Sequence, residues 1–475
     1  MNTQVPDVTQ QSMKDMLTRQ RAAFVHAGPP TLGQRRNDLI LLRNAILAKR
    51  TEIEAAANAD FGHRSRHETA MLEMVALTQG IDYLRRKVRR FMRPARRHVA
   101  LQFRLGSARV EYQPLGVIGI MAPWNYALSL AVMPLATAIA AGNRAMIKPS
   151  EFTPATSELL STLLADIFPQ EQVAVVTGDG SVGAAFSALP FDHLIFTGST
   201  AVGRAVMRAA TENLTPVTLE LGGKSPVIVQ KAHARDSTAT SIAFGKLANA
   251  GQTCIAPDYA LVHAEDLEAF AATYDRAVTA LYPKGPASDD YTSIINERHH
   301  ARLAALIDDA RAKGGRVVEV GNKSSGASLR PHTVPPLMVL DVTDDMRIMQ
   351  EEIFGPVLPI RTYRNIDEAI DYVNARPRPL ALYFYGSNGE HRRRVLSRTT
   401  SGNVTINGTL MHYAQDDLPF GGVGPSGMGA YHGIEGFRRL SHAKGIYEQG
   451  RWNGANMLRP PFKSLTDRIL NLMLR

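Results

Sequence analysis

The sequence holds a single cysteine, Cys254, among 475 residues. One thiol excludes an internal disulfide and any group of cysteines around a metal, and no metal is expected. A chain so poor in cysteine suits the reducing cytoplasm, where disulfides are rare. An apolar signal core is missing as well, because Met1 to Gln11 is polar. Leu128 to Gly142, the longest apolar-rich stretch, falls short of the ~20 residues that span a bilayer. It also carries Pro134 and Thr137. The expectation is therefore a cytoplasmic protein without an integral membrane segment. Internal repeats and long low-complexity tracts are also absent, which excludes solenoids and arrays.

Negative charge is the scarcer sign, and the formal net charge is +10. Much of the excess sits in Arg85, Arg86, Lys87, Arg89, Arg90, Arg93, Arg96 and Arg97. Such a cluster is either a phosphate-binding stripe or a solvated helix end leading into a subunit contact. No zinc-finger, RNA-binding or helix-turn-helix pattern accompanies it, so the second reading is preferred and nucleic acid is not expected as a partner. With 44% hydrophobic and 21% charged residues, the composition is that of an ordinary globular chain. Its length fits two or three units.

The first hundred residues read as helices, with Leu39, Leu41, Leu42, Ile46 and Leu47 at helical spacing. Leu101 to Gln113 alternates around Gly106-Ser107 and predicts a two-stranded hairpin. From Leu115 onward, short apolar runs at 116–121, 145–148, 173–176 and 193–196 alternate with helical stretches at 128–141, 154–167 and 200–212. Thr153-Pro154 reads as a capping hydroxyl followed by a first-turn proline. A second alternating unit follows, with strands at 226–229 and 259–262 and helices at 266–281 and 298–313. Residues 321–332 are the most loop-like stretch, and Ser464 is expected to cap a short C-terminal helix with Leu465, Ile469, Leu472 and Met473 on one face. That face is expected to pack on a partner subunit, with covering of the substrate mouth or a membrane surface as alternatives. The fold class is α/β, with a parallel sheet covered on both faces and ligands beyond the carboxyl ends of its strands.

That rule places Pro123-Trp124-Asn125, Lys148-Pro149-Ser150-Glu151 and Phe196-Thr197-Gly198-Ser199 at one rim. Gly198-Ser199-Thr200-Ala201-Val202-Gly203, between a strand and a helix, is either a pyrophosphate-facing turn or a tight turn that needs glycine. Lys148 and Glu151 at a strand end either grip a ribose or form a surface ion pair. Asn125, after Pro123-Trp124, offers an N–H₂ donor for an oxyanion, although asparagine also favours turns. Glu220 follows the strand 215–219. It is either a desolvated general base or a merely exposed carboxylate. Cys254 itself is either an inert buried thiol or a nucleophile toward electron-poor carbon.

Together, Pro123-Trp124-Asn125, Lys148-Pro149-Ser150-Glu151, Phe196-Thr197-Gly198-Ser199, Glu220-Leu221-Gly222-Gly223-Lys224, Gly251-Gln252-Thr253-Cys254, Glu352-Ile353-Phe354-Gly355-Pro356 and Leu418-Pro419-Phe420-Gly421-Gly422 resemble the aldehyde dehydrogenase superfamily. The likeness runs from about residue 20 to residue 447. Cys254 to Tyr259 and Gly429-Ala430-Tyr431-His432-Gly433 are similar to the branch of dimeric class 3 enzymes. Asp60 to Ser65, Ala414-Gln415-Asp416-Asp417 and Ser426 to Gly429 are most similar to its bacterial coniferyl aldehyde group. One departure is Ala127, where that branch often has proline.

The resemblance implies an aldehyde dehydrogenase fold and a homodimer. It implies a Rossmann-like NAD domain (1–97 and 116–220), an α/β catalytic domain (221–420), a bridging β hairpin segment (98–115 and 421–450) and a C-terminal tail (451–475). It further implies oxidation of coniferyl or a related aromatic aldehyde with NAD, NADP being possible. Cys254 would attack the aldehyde, Asn125 would hold the oxyanion and Glu220 would activate the deacylating water. Trp124, Lys148, Glu151, Gly198, Ser199, Gly203, Glu352 and Phe354 would bind the cofactor. Tyr126, Phe354, Tyr413 and Tyr431 are candidates for an aromatic tunnel. Medium or long aliphatic aldehydes, transfer to CoA, a cysteine hydrolase and a nucleic-acid binder remain as alternatives.

Overall fold

The computed structural model describes residues 10–322, 329–451, 456 and 459–474, less the side chain of Gln102. Its centre is a six-stranded sheet in the order Gly427–Met428, Val217–Leu221, His193–Gly198, Val117–Met121, Arg144–Lys148, Val173–Val175. The last five are parallel, and Gly427–Met428 joins antiparallel. Val117–Met121 and Val217–Leu221 are buried at every position, which is why they read as continuous apolar runs rather than alternating ones. The chain moves outward from Val117–Met121 in one direction, then returns to place His193–Gly198 on its other side. This reversal opens a crevice at the carboxyl ends of those two strands. Trp124, Asn125, Gly198 and Ser199 follow these ends.

A second sheet has the order Arg316–Glu319, Leu337–Leu340, Val357–Tyr363, Tyr259–His263, Pro226–Val229, Ala381–Tyr385, Asn403–Ile406. All its pairs are parallel except the first. A third, antiparallel sheet joins Ala95–Arg97, Ser107–Pro114 and Ser441–Glu448.

Most expected elements are found within a residue or two, and several details differ. The hairpin over 101–113 does not form. Leu101–Phe103 is a single 3₁₀ turn, and Ser107–Pro114 pairs with the preceding Ala95–Arg97 and the distant Ser441–Glu448. Alternation reports that a strand has one wetter face; it does not identify the partner strand. Leu41 and Leu47 are exposed on a helix whose buried stripe is Leu39, Leu42 and Ile46. Thr153 makes no cap to the helix Pro154–Ile167. Asp60 does so from another helix, accepting from the N–H groups of Ala155 at 2.8 Å and Thr156 at 2.9 Å. An ionised carboxylate is the stronger acceptor there. Ser464 is the first residue of the C-terminal helix Ser464–Met473 rather than its cap, and Leu465, Leu472 and Met473 are exposed.

Arg86, Arg89, Arg90, Arg93, Arg96 and Arg97 are exposed at and beyond the end of the helix Ala76–Phe91, as expected of a solvated helix end. Part of the loop-like stretch 321–332 lies outside the described residues. No helix among the described residues is long and apolar enough to cross a membrane.

Candidate active site

Cys254 sits on a loop whose backbone is unusual. After the helix Asp236–Leu247, Asn249, Ala250 and Gly251 all take left-handed conformations, with φ of 53°, 51° and 76°. Such conformations are costly for asparagine and alanine and persist only where surroundings impose them. Here the Gln252 side chain donates to the carbonyls of Asn249 at 2.9 Å and Ser293 at 3.1 Å, and accepts from the N–H of Ile295 at 2.9 Å. The hydroxyls of Tyr126 and Thr253 meet at 2.7 Å. The loop is thus tied down on both sides of the thiol.

Two pockets meet at Cys254, and both are lined by Leu130, Thr197, Glu220 and Cys254. One, of about 1140 Å³ counting its open mouth, is walled by apolar and aromatic residues including Leu72, Leu130, Phe244, Tyr413, Phe420 and Tyr431. Tyr126 also lines it. Phe354, expected in this tunnel, lies in the other pocket instead.

That second pocket, of about 800 Å³, brings together Trp124, Asn125, Gly198, Ser199, Glu352 and Phe354. Phe354 has φ of 52°, and its ring meets Trp124 edge-on at 5.4 Å. Glu352 lies over the glycine pair that follows Glu220. A Cβ on Gly222 would come within 2.0 Å of the Glu352 carboxylate, so only glycine leaves room for it. His299 is the one histidine lining either pocket, and its ring packs on Trp124 at 4.8 Å.

Three cofactor candidates lie away from these walls. Lys148 donates to Glu151 at 2.9 Å from the end of Arg144–Lys148. The first turn of the helix Gly180–Ser187 faces the pair, with Gly183 close to the Lys148 side chain. That short helix, capped by Asp179, has no counterpart in the sequence reading. Gly203 packs against Leu221 in the first turn of the helix Thr200–Thr211, so it supports the turn rather than facing the pocket.

Electrostatics set the groups apart. Glu220 lies inside the strand Val217–Leu221, not beyond a strand end, and neither carboxylate oxygen has a hydrogen-bond partner. Burial alone pushes its pKa well above the usual carboxylate range. For Glu352, burial and then Asp258 raise it to about 8, against the pull of the Gly223 N–H, Lys224 and Arg302. Burial, then the Glu352 and Glu220 carboxylates, hold the Cys254 thiol up at about 12, although the N–H groups of Cys254 and Ile255 favour the thiolate. Burial also works against ionisation of Glu151, but its own backbone N–H and Lys148 outweigh it and lower the pKa.

Residues 1–446 match the family model described as aldehyde dehydrogenase family. The chain belongs to that family. A Pseudomonas aeruginosa protein named probable coniferyl aldehyde dehydrogenase is 51% identical, covering 98% of this chain and 96% of its own length. The coniferyl aldehyde dehydrogenase of Pseudomonas sp. strain HR199 is 47% identical, covering 96% and 95%. Family 3 members among the relatives agree with the class 3 branch. A substrate-bound Staphylococcus aureus aldehyde dehydrogenase structure superposes with a TM-score of 0.91 at 35% identity, covering 98% of this chain and 99% of that one. The enzyme is therefore an oxidoreductase of the aldehyde dehydrogenase fold that works with a nicotinamide cofactor.

Buried residues that sequence reasoning passed over surround this site. Arg64, Glu68 and Glu73 lie beneath Asn125 and the Cys254 loop. Lys224 and Asp258 pair with each other, and both hold the Glu352 segment. Arg64 and Lys224 fall within motifs that carried the resemblance, yet nothing local marks them as site-building.

Proposed function

We propose that this aldehyde dehydrogenase oxidises coniferyl aldehyde, or a closely related aromatic aldehyde, to its acid with NAD. The observation that carries the reading is the meeting of an apolar, aromatic-walled pocket and a polar pocket at one thiol. The names of the most similar relatives point to the same substrate class.

The donor set suits a dinucleotide: an aromatic face at Phe354, a carboxylate at Glu352, and a lysine–carboxylate pair at Lys148 and Glu151. When bound, the nicotinamide supplies the hydride acceptor. The remaining chemistry belongs to side chains. Cys254 Sγ gives up its proton to water and bonds to the aldehyde carbon. The carbonyl oxygen takes the negative charge and accepts from Asn125 Nδ2 and the Cys254 N–H. Asn125 keeps one amide hydrogen on the Gln252 carbonyl at 3.0 Å, which leaves the other for the oxyanion. Collapse of this adduct expels hydride from the former aldehyde carbon and leaves a thioester on Cys254. Glu220 then takes a proton from the water that attacks it, and the acid departs as the thiol re-forms. An unpartnered carboxyl with a raised pKa suits that task, because both its oxygens are available.

We assign the finer points in the same way. Glu151, held ionised beside Lys148, repels a 2′-phosphate and favours NAD over NADP. The six-stranded sheet carries the cofactor and the seven-stranded sheet the thiol. The three-stranded sheet, whose outer strand Ser441–Glu448 is largely exposed, joins two copies into a homodimer in the cytoplasm. A cysteine hydrolase would need a histidine at the thiol, whereas His299 packs on Trp124 with its pKa lowered to about 4, chiefly by burial.

Following NADH formation from coniferyl aldehyde, a long aliphatic aldehyde and benzaldehyde tests the proposal. Coniferyl aldehyde should give the highest kcat/KM, unaffected by CoA or DNA. A higher value for the aliphatic substrate, or a dependence on CoA, would overturn it.

A further inference from the structure

An ion cluster with no part in the chemistry above is buried below Asn125. Arg64 and Glu73 are each 2% exposed and Glu68 8%. Arg64 Nη1 lies 3.2 Å from Glu73 Oε1 and donates to the backbone carbonyl of Asn125 at 3.0 Å. Its guanidinium also stands over the rings of Phe61 at 4.7 Å and Tyr126 at 5.1 Å. Glu73, on the π-helical turn Thr69–Val75, accepts from the N–H groups of Leu128 at 2.9 Å and Ser129 at 3.1 Å. Those groups open the helix Ser129–Ala141, three and four residues after Asn125. Glu68 accepts from the N–H of left-handed Asn249 at 3.1 Å and from the Thr292 hydroxyl at 2.7 Å.

Asn249 closes the circuit. Its side chain donates to the carbonyls of Asn125 at 3.0 Å and Gln252 at 3.2 Å. The Asn125 amide donates to that same Gln252 carbonyl. The Asn249 side chain and the Asn125–Gln252 bond thus hold the segment bearing Asn125 to the loop bearing Cys254, with Arg64 and Glu73 bracing the first and Glu68 the second.

Stability is a poor explanation for such a cluster. Removing three charged groups from water is expensive, and well-packed apolar residues commonly serve a core as well or better. Apolar residues could not fix two backbone segments by directed hydrogen bonds. The π-helical turn that supplies Glu73 is itself a rare element, seen mostly at functional sites.

We propose that Arg64 is a positioning residue for Asn125, acting through the Asn125 carbonyl, with Glu73 anchoring it to the helix start while Glu68 braces the Cys254 loop. The proposal rests on the oxyanion role given to Asn125 above. Arg64 touches neither substrate nor cofactor; it sets the angle at which the Asn125 amide meets the thiol. Reactions of this kind lose on the order of 10²-fold for a 1 Å misplacement.

The test is a double-mutant cycle on the holoenzyme, reading the rate of the first NADH burst after rapid mixing with aldehyde. Asn125→Ala should slow the burst by about 10²–10³-fold. Arg64→Lys keeps the charge but withdraws the Nη1 that meets the Asn125 carbonyl, and should slow it on the order of 10-fold to 10²-fold with the dissociation constant for NAD unchanged. In the double variant the Arg64→Lys loss should disappear, leaving the rate of Asn125→Ala alone. Losses that multiply would overturn the proposal, because Arg64 would then act independently of Asn125. A normal burst in Arg64→Lys beside a slow one in Asn125→Ala would sink it while sparing the oxyanion reading. A normal burst in Asn125→Ala would remove that reading and the proposal with it. Should Arg64→Lys fail to fold, Glu73→Gln enters the same cycle with the same expected cancellation.

Discussion

Replacing Glu220 by glutamine separates two consequences of one buried carboxyl. Gln has nearly the same shape, and neither oxygen of Glu220 gives up a hydrogen bond in the exchange. The substitution trades one unpaired buried O–H for an unpaired N–H₂, so the fold at low pH should hardly change. Kinetically, a general base is worth about 10²–10⁴ in rate, or about 3–5 kcal/mol of barrier. The expected trace is therefore a first burst of NADH close to the wild-type rate, followed by a steady state slower by about 10²–10⁴.

The stability consequence has a definite sign. The folded pKa of Glu220 stands above its ordinary value of 4.5, so the folded enzyme holds a proton that the unfolded chain releases. The resulting stabilisation is complete below that ordinary value and is lost as pH rises from there through the folded pKa. Gln has no such loss. The Tm of Glu220→Gln should match wild type in acid and exceed it by a growing margin toward alkaline pH. An unchanged steady state would move the base role elsewhere, and a Tm difference independent of pH would refute the buried, unpartnered environment assigned to Glu220.

Three further outcomes follow from the same geometry. The thiol held up at about 12 must lose its proton to attack, so kcat/KM for the aldehyde should climb steadily as pH rises through the alkaline range toward that value; a flat or falling profile would contradict this. Glu151→Gln should raise the NADP-to-NAD ratio of kcat/KM by at least roughly fivefold, the worth of one unit-charge contact at ~1 kcal/mol in water. No change would show that Glu151 does not meet the 2′ position. Truncation after Arg459 should leave the burst rate intact while weakening association of two copies by sedimentation, if the exposed Leu465, Leu472 and Met473 face packs on a partner subunit. A monomer–dimer equilibrium identical to that of the full chain would remove that role.

What could be read in the sequence was the set of short motifs at strand ends. Each combines residues adjacent in the chain, and the parallel topology brings the ends to one rim regardless of loop detail. Asn125 and Gly198 therefore meet as anticipated, while Glu352 and Cys254, which precede strands of the second sheet, reach the same pocket from there. Contacts between distant residues were not legible. The Asp60 cap on Pro154–Ile167 and the link from Glu68 to Asn249 depend on side chains 95 and 181 positions away. Phe354 was expected both at the cofactor and in the aromatic tunnel, and only the first place agrees with the pocket it lines; composition says nothing about a left-handed backbone with its ring against Trp124. Glu220 was expected at a strand exit, but it lies within Val217–Leu221, buried and with neither carboxyl oxygen hydrogen-bonded.

Cys254 remains the centre of the account, and a direct test is to catch the acyl group it carries. Glu220→Gln enzyme given NAD and coniferyl aldehyde, quenched in acid during the slow phase, is digested and weighed by mass spectrometry. The account predicts the acyl mass of the aldehyde on the peptide containing Cys254, released by hydroxylamine and absent when NAD is omitted. NADH formation with an unmodified Cys254 peptide would contradict it.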